Sequence, residues 1–266
     1  MNISLPSDII FSLGPIGITN GLLGGFIVSA VLIIGALIIA KGFDTIPGRA
    51  QMILELISDY IIEQLEEAFG DKKLARSFFP LFMTLLLLIT IANQFMLVPF
   101  VFDITYGDAA LFRQSTSDFA QPVALALMVF VISQVMAFKI SPIKHLSNFF
   151  PLHEFKPVFT AKGFTAKLIA LLNAFLQMGI GALNIIGEAG KHVALAARLF
   201  GNIFAGNVMV VVIVGLASFT QFLVPIPFIA LSVFSGFIQA FVFMLLSVQF
   251  IAITMQGATP DLVEST

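Results

Sequence analysis

The sequence predicts an all-α integral membrane protein, and three observations support this class. Of its 266 residues, 59% are hydrophobic and only 11% are charged, against about 45–50% and about 25% in an ordinary soluble domain. The mean hydropathy is +1.04. Several apolar runs reach the roughly 20 residues that a helix needs to cross a bilayer. We expect about three upright transmembrane helices, one amphipathic surface helix and a C-terminal hairpin of two long intramembrane helices.

The first 140 residues contain the three upright spans. Residues 1–21 include no Lys or Arg, so they lack the basic start of a cleaved export signal. Because basic residues favour the cytoplasmic side, this segment is expected to form an extracytoplasmic N-terminus. Between the first two spans, acidic and apolar side chains alternate at helical spacing over residues 47–70. This pattern predicts an amphipathic helix on the membrane surface, or a soluble helix packed on other subunits. The three spans are expected at about residues 22–40, 78–102 and 123–140.

The distribution of Lys and Arg orients the chain. Basic residues collect after the first span and after the third, whereas the loop at residues 103–118 has Arg113 against three aspartates. Since Lys and Arg favour the cytoplasmic side, the two basic loops are predicted to be cytoplasmic. The N-terminus and the 103–118 loop then face the opposite side.

A second apolar region follows the upright spans. Residues 167–220 contain no proline and are apolar almost throughout, so one helix of this length would measure about 75–80 Å. Because a bilayer core is only about 30 Å thick, the helix either breaks at its glycines or lies strongly tilted. Pro225 and Pro227 mark a turn, after which residues 228–255 form a last long helix that runs back.

One polar stripe runs along the predicted long helix. Small residues on the same side, Ala194, Gly201 and Ala205, allow another helix to approach closely. Because an Arg in the bilayer costs about 3–17 kcal/mol, Arg198 is expected to face a partner or a water-filled cavity. The structural alternative is a salt bridge, to Glu188 or to a carboxylate of another chain, that holds a bundle together. At about 100° per residue, the polar residues within about 80° of Arg198 are Asn173, Gln177, Asn184, Glu188, Lys191 and Asn202.

Two motifs carry a family resemblance. Residues 197–206 read Ala-Arg-Leu-Phe-Gly-Asn-Ile-Phe-Ala-Gly, and residues 238–243 read Ile-Gln-Ala-Phe-Val-Phe. They resemble the central and last-helix motifs of subunit a of F-type ATP synthases. The resemblance covers about residues 18–255. Supporting similarities lie at residues 45–51, 92–94, 98–99 and 117–127.

The resemblance implies a stator subunit without a catalytic centre of its own. In that family two long, tilted helices press against a rotating ring of c subunits, and two offset half-channels carry ions to and from the ring. The resemblance thus implies that the C-terminal hairpin consists of two long, tilted intramembrane helices. Arg198, Asn202 and Gln239 match the family's ion-translocating residues. The implied partners are the c-ring, the subunit b peripheral stalk, the rest of the ATP synthase complex and the lipid bilayer.

The same resemblance suggests how the chain is organised and where it resides. Residues 1–266 are expected to form a single membrane domain, with upright spans over 22–140 and an ion-translocating hairpin over 164–256. The implied location is the bacterial plasma membrane, or the mitochondrial inner membrane if the gene is organelle-encoded.

Several positions depart from the family pattern. Where the family often has a titratable group, this chain has Asn184, Asn207 and Ser232. His192 stands where a proline is usual, one helical turn after Glu188. Glu188 and His192 are therefore candidates for a displaced proton relay, and the alternative is a structural i,i+4 pair.

Composition argues against other functional classes. The absence of Cys and the scatter of three His predict no metal site and no cofactor. A net charge of −2 with 13 basic residues predicts no nucleic-acid partner, and no phosphate-binding loop of an ATPase is found. The competing class is a secondary transporter or ion channel that binds its substrate at Arg198. Such transporters typically contain an internal repeat, which this sequence lacks.

Overall fold

Helices dominate the chain. The computed structural model describes residues 9–13, 16–41, 48–94, 105–106, 109–110, 115–151, 155–160, 163–216 and 225–259. The α-helices in these ranges are α1 (Asn20–Lys41), α2 (Arg49–Phe69), α3 (Lys72–Gln94), α4 (Ala120–Ile140), α5 (Pro142–Phe149), α6 (Lys156–Thr160), α7 (Phe164–Leu216) and α8 (Pro225–Ala258). By length and composition, five of them could cross a membrane: α1, α3, α4, α7 and α8. The predicted class, an all-α integral membrane protein, is confirmed.

Within the described ranges, two β-hairpins accompany the helices and have no counterpart in the sequence-based prediction. Strand β1 (Ile9–Leu13) pairs antiparallel with β2 (Ile16–Thr19), directly before α1. Strand β3 (Thr105–Tyr106) pairs antiparallel with β4 (Ala109–Ala110). Strands of two to five residues are too short for their alternation of apolar and polar side chains to be read from sequence.

The upright spans agree with α1 and α4 to within three residues, but α3 begins earlier than predicted. Its first residue is Lys72 and not residue 78. Asp71 precedes it, and its Oδ1 accepts a hydrogen bond from the Lys73 backbone N–H at 2.7 Å. Because such a cap satisfies a free N–H of the first turn, the helix begins on charged residues that hydropathy alone assigns to a loop. Residues 95–102 of the predicted span lie outside the described ranges.

Helix α2 is the amphipathic segment predicted over residues 47–70. It packs on α3 and buries Ile61 and Leu65 completely, while Leu56 is 72% exposed. Gly70 ends the helix in the left-handed conformation, with φ of 68°. Its N–H donates to the Glu66 carbonyl oxygen at 2.9 Å. Since glycine adopts this conformation without steric cost, the chain turns at once into α3.

Helix α7 is a single helix of 53 residues. The glycines inside it keep helical backbone angles, since the positive φ values among the described glycines occur at Gly70 and Gly163. A helical glycine costs about 1 kcal/mol relative to alanine but retains its N–H donor, so it weakens a helix without ending it. The alternative in which this segment breaks at its glycines is therefore wrong, and the tilt stays a prediction. The predicted continuation over residues 217–220 lies outside the described ranges.

The chain divides into two compact units. Unit 1 comprises Met1–Ala124 and Leu195–Val248. Its buried core includes Phe82 of α3 and Phe243 of α8, and the rings of Tyr60 and Phe241 are 5.4 Å apart, which links α2 to α8.

Unit 2 comprises Leu125–Ala194 and Gln249–Thr266. In it α5 bonds to the end of α8, because Asn148 Nδ2 donates to the Gly257 carbonyl oxygen at 3.0 Å. Close contact with α7 occurs at Gly181, where a Cβ atom would overlap the Phe149 carbonyl oxygen.

Candidate functional site

Arg198 lies on an exposed face of α7 in unit 1. Gly201 and Ala205 are exposed on the same face, and nothing lies within 4 Å of the position that a Cβ atom on Gly201 would take. These three residues form the open face. Within the described ranges Arg198 has no hydrogen-bond or ion-pair partner. A permanent cation thus stands beside small residues on a helix long and apolar enough for a membrane.

The side of this segment of α7 that lies next to the open face packs on α8. Asn202 Nδ2 donates to the Ser235 carbonyl oxygen at 3.2 Å, and Ser235 Oγ donates to Asn202 Oδ1 at 2.5 Å. One turn further along α7, a Cβ atom at Gly206 would lie 2.8 Å from Ser232 Oγ. Asn202 and Ser232, both singled out from sequence, therefore lie where the two helices meet, Asn202 through hydrogen bonds and Ser232 through its closeness to Gly206.

Gln239 follows on α8, one turn after Ser235. Its side chain is buried, and its Nε2 has no hydrogen-bond partner among the described residues. A buried amide without a partner costs about 1–3 kcal/mol. An ordered water is the usual partner of a buried donor of this kind.

Glu188 lies in unit 2 with partners of its own. Its Oε2 is 2.9 Å from Lys191 Nζ, and its Oε1 accepts a hydrogen bond from Thr254 Oγ1 of α8 at 3.1 Å. The carboxylate side chain is only 12% exposed. A buried carboxylate needs both a counter-charge and hydrogen bonds, and this arrangement supplies them.

His192 is buried between aromatic rings. Its ring centroid lies 5.0 Å from that of Phe130 and 5.6 Å from that of Phe250. Nδ1 is 2.9 Å from the Glu188 carbonyl oxygen, and since a carbonyl only accepts, Nδ1 must donate. Nε2 has no partner among the described residues. The link between His192 and Glu188 thus runs through the backbone, while the Glu188 carboxylate binds Lys191 and Thr254.

A cavity of about 270 Å³ in unit 2 collects further polar groups. Asn184 lies at its wall and donates from Nδ2 to the Asn148 carbonyl oxygen at 3.1 Å. Glu188, Lys191 and Thr254 line the same cavity, and so does His145 of α5. The side chain of Asn207, the remaining candidate, lies outside the described part of α7.

The candidates thus fall into two groups, one in each unit. Residues that the sequence analysis missed complete both groups, namely Ser235 in unit 1 and His145 and Thr254 in unit 2. Ser235 had a sequence signal, because Ser232, Ser235 and Gln239 recur at intervals of three and four residues and so share a helix face. No local pattern marks Thr254 as a partner of Glu188, because the two lie 66 residues apart.

Comparison with known proteins identifies the family. Residues 23–252 match the model of the family described as ATP synthase A chain. This chain belongs to the ATP synthase A chain family. Three relatives, each called ATP synthase subunit a, cover nearly its whole length. The Geotalea daltonii protein is 29% identical over 90% of both chains. The Trichlorobacter lovleyi protein is 30% identical over 90% of this chain and 88% of its own. The Moorella thermoacetica protein is 30% identical over 93% and 96%.

Family membership confirms the resemblance recognised in the sequence. The chain is a multi-pass membrane subunit of an F-type ATP synthase, with a stator role in proton translocation. The competing class, a secondary transporter or ion channel, receives no support from these relatives.

Proposed function

We propose that the open face meets the ring of c subunits and that Arg198 separates two ion half-channels. The exposed, unpaired guanidinium beside Gly201 and Ala205 carries this proposal. Small residues let a neighbouring helix come close, so a ring helix can bring a carboxylate within reach of Arg198. This carboxylate is then the counter-ion that Arg198 lacks among the described residues.

The chemistry of Arg198 explains the separation. A guanidinium stays protonated under any accessible condition, since its pKa is above about 12, so it does not pass a proton from one half-channel to the other. It also favours the ionised form of an approaching carboxylate, so each ring site releases its ion before it passes. The transmembrane field, about 2.3 kcal/mol per charge per 100 mV, then drives rotation in one direction.

The two polar groups are suited to the two half-channels. Asn202, Ser232 and Gln239 of unit 1 would line one, and Asn207 joins them by its place in the sequence. Asn184, Glu188 and His192 of unit 2 would line the other. Each group contains hydrogen-bonding side chains that can hold a file of water.

The second partner, the cellular location and the domain organisation are inferred from family membership. The subunit b peripheral stalk is the proposed second partner, and the bacterial plasma membrane is the proposed location, because the relatives compared are bacterial. The proposed single membrane domain covers the whole chain, with the hairpin of α7 and α8 as its ion-translocating part.

The test removes the charge of Arg198. In membrane vesicles, Arg198→Ala should abolish ATP-driven acidification while the complex still assembles. Without the guanidinium, protons can leak from one half-channel to the other, and ring sites no longer have to release their ion before they pass. Lys167→Ala is the matched control, since Lys167 is another exposed cation of α7, and it should pump normally. Normal pumping by Arg198→Ala would overturn the proposal.

A further inference from the structure

The unit 2 cavity contains a titratable group that the proposed function leaves unused. His145 lies on α5, directly after α4, and only 2% of it is exposed to solvent. The cavity it lines measures about 270 Å³, enough for several water molecules, since each occupies about 30 Å³ in the liquid. A buried base, a largely buried acid and space for water therefore share one cavity.

The hydrogen bond of His145 identifies its reactive atom. Nε2 lies 2.8 Å from Gln134 Oε1 of α4. Because an amide oxygen accepts, Nε2 donates, and Nδ1 is left as the nitrogen that takes up or releases a proton. Phe138 and Phe149 pack edge-on to the ring at 4.9 and 5.0 Å and hold its plane.

The acid across the cavity is Glu188. Lys191 and Thr254 hold its two oxygens. Another charged group near His145 is Lys144, whose Nζ donates to the Thr259 carbonyl oxygen at 2.6 Å. At the cavity, α8 contributes the uncharged Thr254, and α4 reaches His145 through the uncharged Gln134. Glu188 is thus the carboxylate available to His145 within the described residues of these elements.

We propose that His145 and Glu188 exchange a proton through water in this cavity, with Lys191 as the residue that positions the Glu188 carboxylate. The proton leaves Nδ1 of protonated His145, passes along cavity water, and binds a Glu188 oxygen; the reverse transfer restores both groups. One N–H bond breaks as one O–H bond forms, and water is the only other participant. This inference deepens the proposed function and rests on it.

Electrostatics and orientation suggest which way the proton travels. Burial lowers the pKa of His145 below its ordinary value, and the negative charge of Glu188 offsets part of that shift. A base with a lowered pKa releases its proton readily near neutral pH. Since the basic loop after the third span is predicted to be cytoplasmic, the pair would serve release on the cytoplasmic side.

The experiment uses the complete complex in membrane vesicles. ATP-driven acidification and passive proton flux are measured between about pH 5.5 and 8, the range in which a histidine changes charge. His145→Gln and Glu188→Gln should each reduce flux by about tenfold or more. His145→Gln should also remove the change of flux that occurs below about pH 6.5. The double variant should lose no more than either single variant, because both act in one step.

Substitutions of Lys191 test its positioning role through the pH profile of proton flux, which a purely structural role would leave unchanged. Lys191→Met should shift the pH profile of proton flux, and Lys191→Arg, which keeps the charge, should restore it. Leu146→Gln is the control on α5, since Leu146 is 52% exposed and does not line the cavity. The amount of assembled complex is measured for every variant, and Glu188→Gln supplies the same test if His145→Gln does not accumulate.

The outcomes separate this inference from the proposed function. If Arg198→Ala abolishes pumping while His145→Gln and Glu188→Gln keep the wild-type rate and pH profile, the proton-exchange pair is wrong and the proposed function stands. If Arg198→Ala pumps normally, the proposed function fails and this inference fails with it.

Discussion

At the scale of single residues, two cations of α7 have opposite surroundings. Lys191 is 2.9 Å from a Glu188 oxygen, so its charge is balanced inside unit 2. Arg198 has no such partner among the described residues. Since an unbalanced charge at membrane depth is costly, the lack of a partner among the described residues supports the proposal that a ring carboxylate balances Arg198. The paired cation suits a fixed structure, and the unpaired one suits a site that a moving partner occupies in turn.

Gly181 offers a test of packing at this scale. A Cβ atom there would overlap the Phe149 carbonyl oxygen and lie 3.0 Å from Pro151 Cδ. Gly181→Ala should therefore destabilise unit 2 by about 1–3 kcal/mol, the usual cost of overpacking. Thermal inactivation of the purified complex measures this loss.

Gly179→Ala is the matched control, two residues away on the same helix. Nothing lies within 4 Å of the position that its Cβ atom would take, so the substitution should be neutral or stabilise α7 by up to about 1 kcal/mol. Equal inactivation temperatures for the two variants would contradict the close contact at Gly181.

At the scale of elements, the end of α3 binds α8 through side-chain amides. Asn93 Nδ2 donates to the Gly236 carbonyl oxygen, and Gln94 Nε2 donates to the Val233 carbonyl oxygen, each at 3.0 Å. A Cβ atom at Gly236 would lie 3.2 Å from Asn93 Cβ and from Gln94 Nε2. Glycine at this position thus lets α3 approach the backbone of α8, next to the serines and Gln239 of the candidate site.

Removing one of these amides should loosen α8. Asn93→Leu loses a buried hydrogen bond, so we expect a loss of stability of about 1–3 kcal/mol and faster hydrogen exchange in the first half of α8. Ser77→Ala is the control on α3, because Ser77 Oγ bonds within its own helix, to the Leu74 carbonyl oxygen, and is exposed. Unchanged exchange in Asn93→Leu would show that the amides do not hold α8.

At the scale of the whole molecule, the described part of the chain covers little of its own apolar surface. Only 11% of the apolar window of α7 is buried inside the chain, as is 11% of that of α1. Phe175 and Leu183 of α7 are 61% and 66% exposed. Lipid and partner subunits must cover this surface, because exposed apolar area of this extent is not stable in water. Assembly therefore completes the fold.

The open face can be tested as an assembly surface. Ala205→Leu should reduce ATP-driven acidification strongly, because a larger side chain holds a ring helix away from Arg198. Ala189→Leu is the matched control, since Ala189 is exposed on α7 and lies about 180° from Arg198 around the helix. Ala196 is unsuitable because it is 3% exposed, so a leucine there would disturb the core. Small, equal effects at Ala205 and Ala189 would count against a ring contact.

Local sequence patterns were enough to predict the class and the long helices and to single out the motif around Arg198. Hydropathy and helical periodicity are local properties, so α1, α4 and α8 were predicted within three residues at each end. Asn202, Ser232 and Gln239 were also singled out from sequence, and their part in ion transfer stays a prediction. The early start of α3 was missed because it depends on a side-chain cap at Asp71 that hydropathy does not register.

Which polar groups meet became known from the folded chain. It placed Thr254 of α8 on the Glu188 carboxylate, 66 residues away along the chain. It also brought His145 to the same cavity and directed His192 to a backbone carbonyl. Such contacts depend on the relative positions and rotations of separate helices. Those are set by the packing of side chains from distant parts of the chain, which no local pattern records.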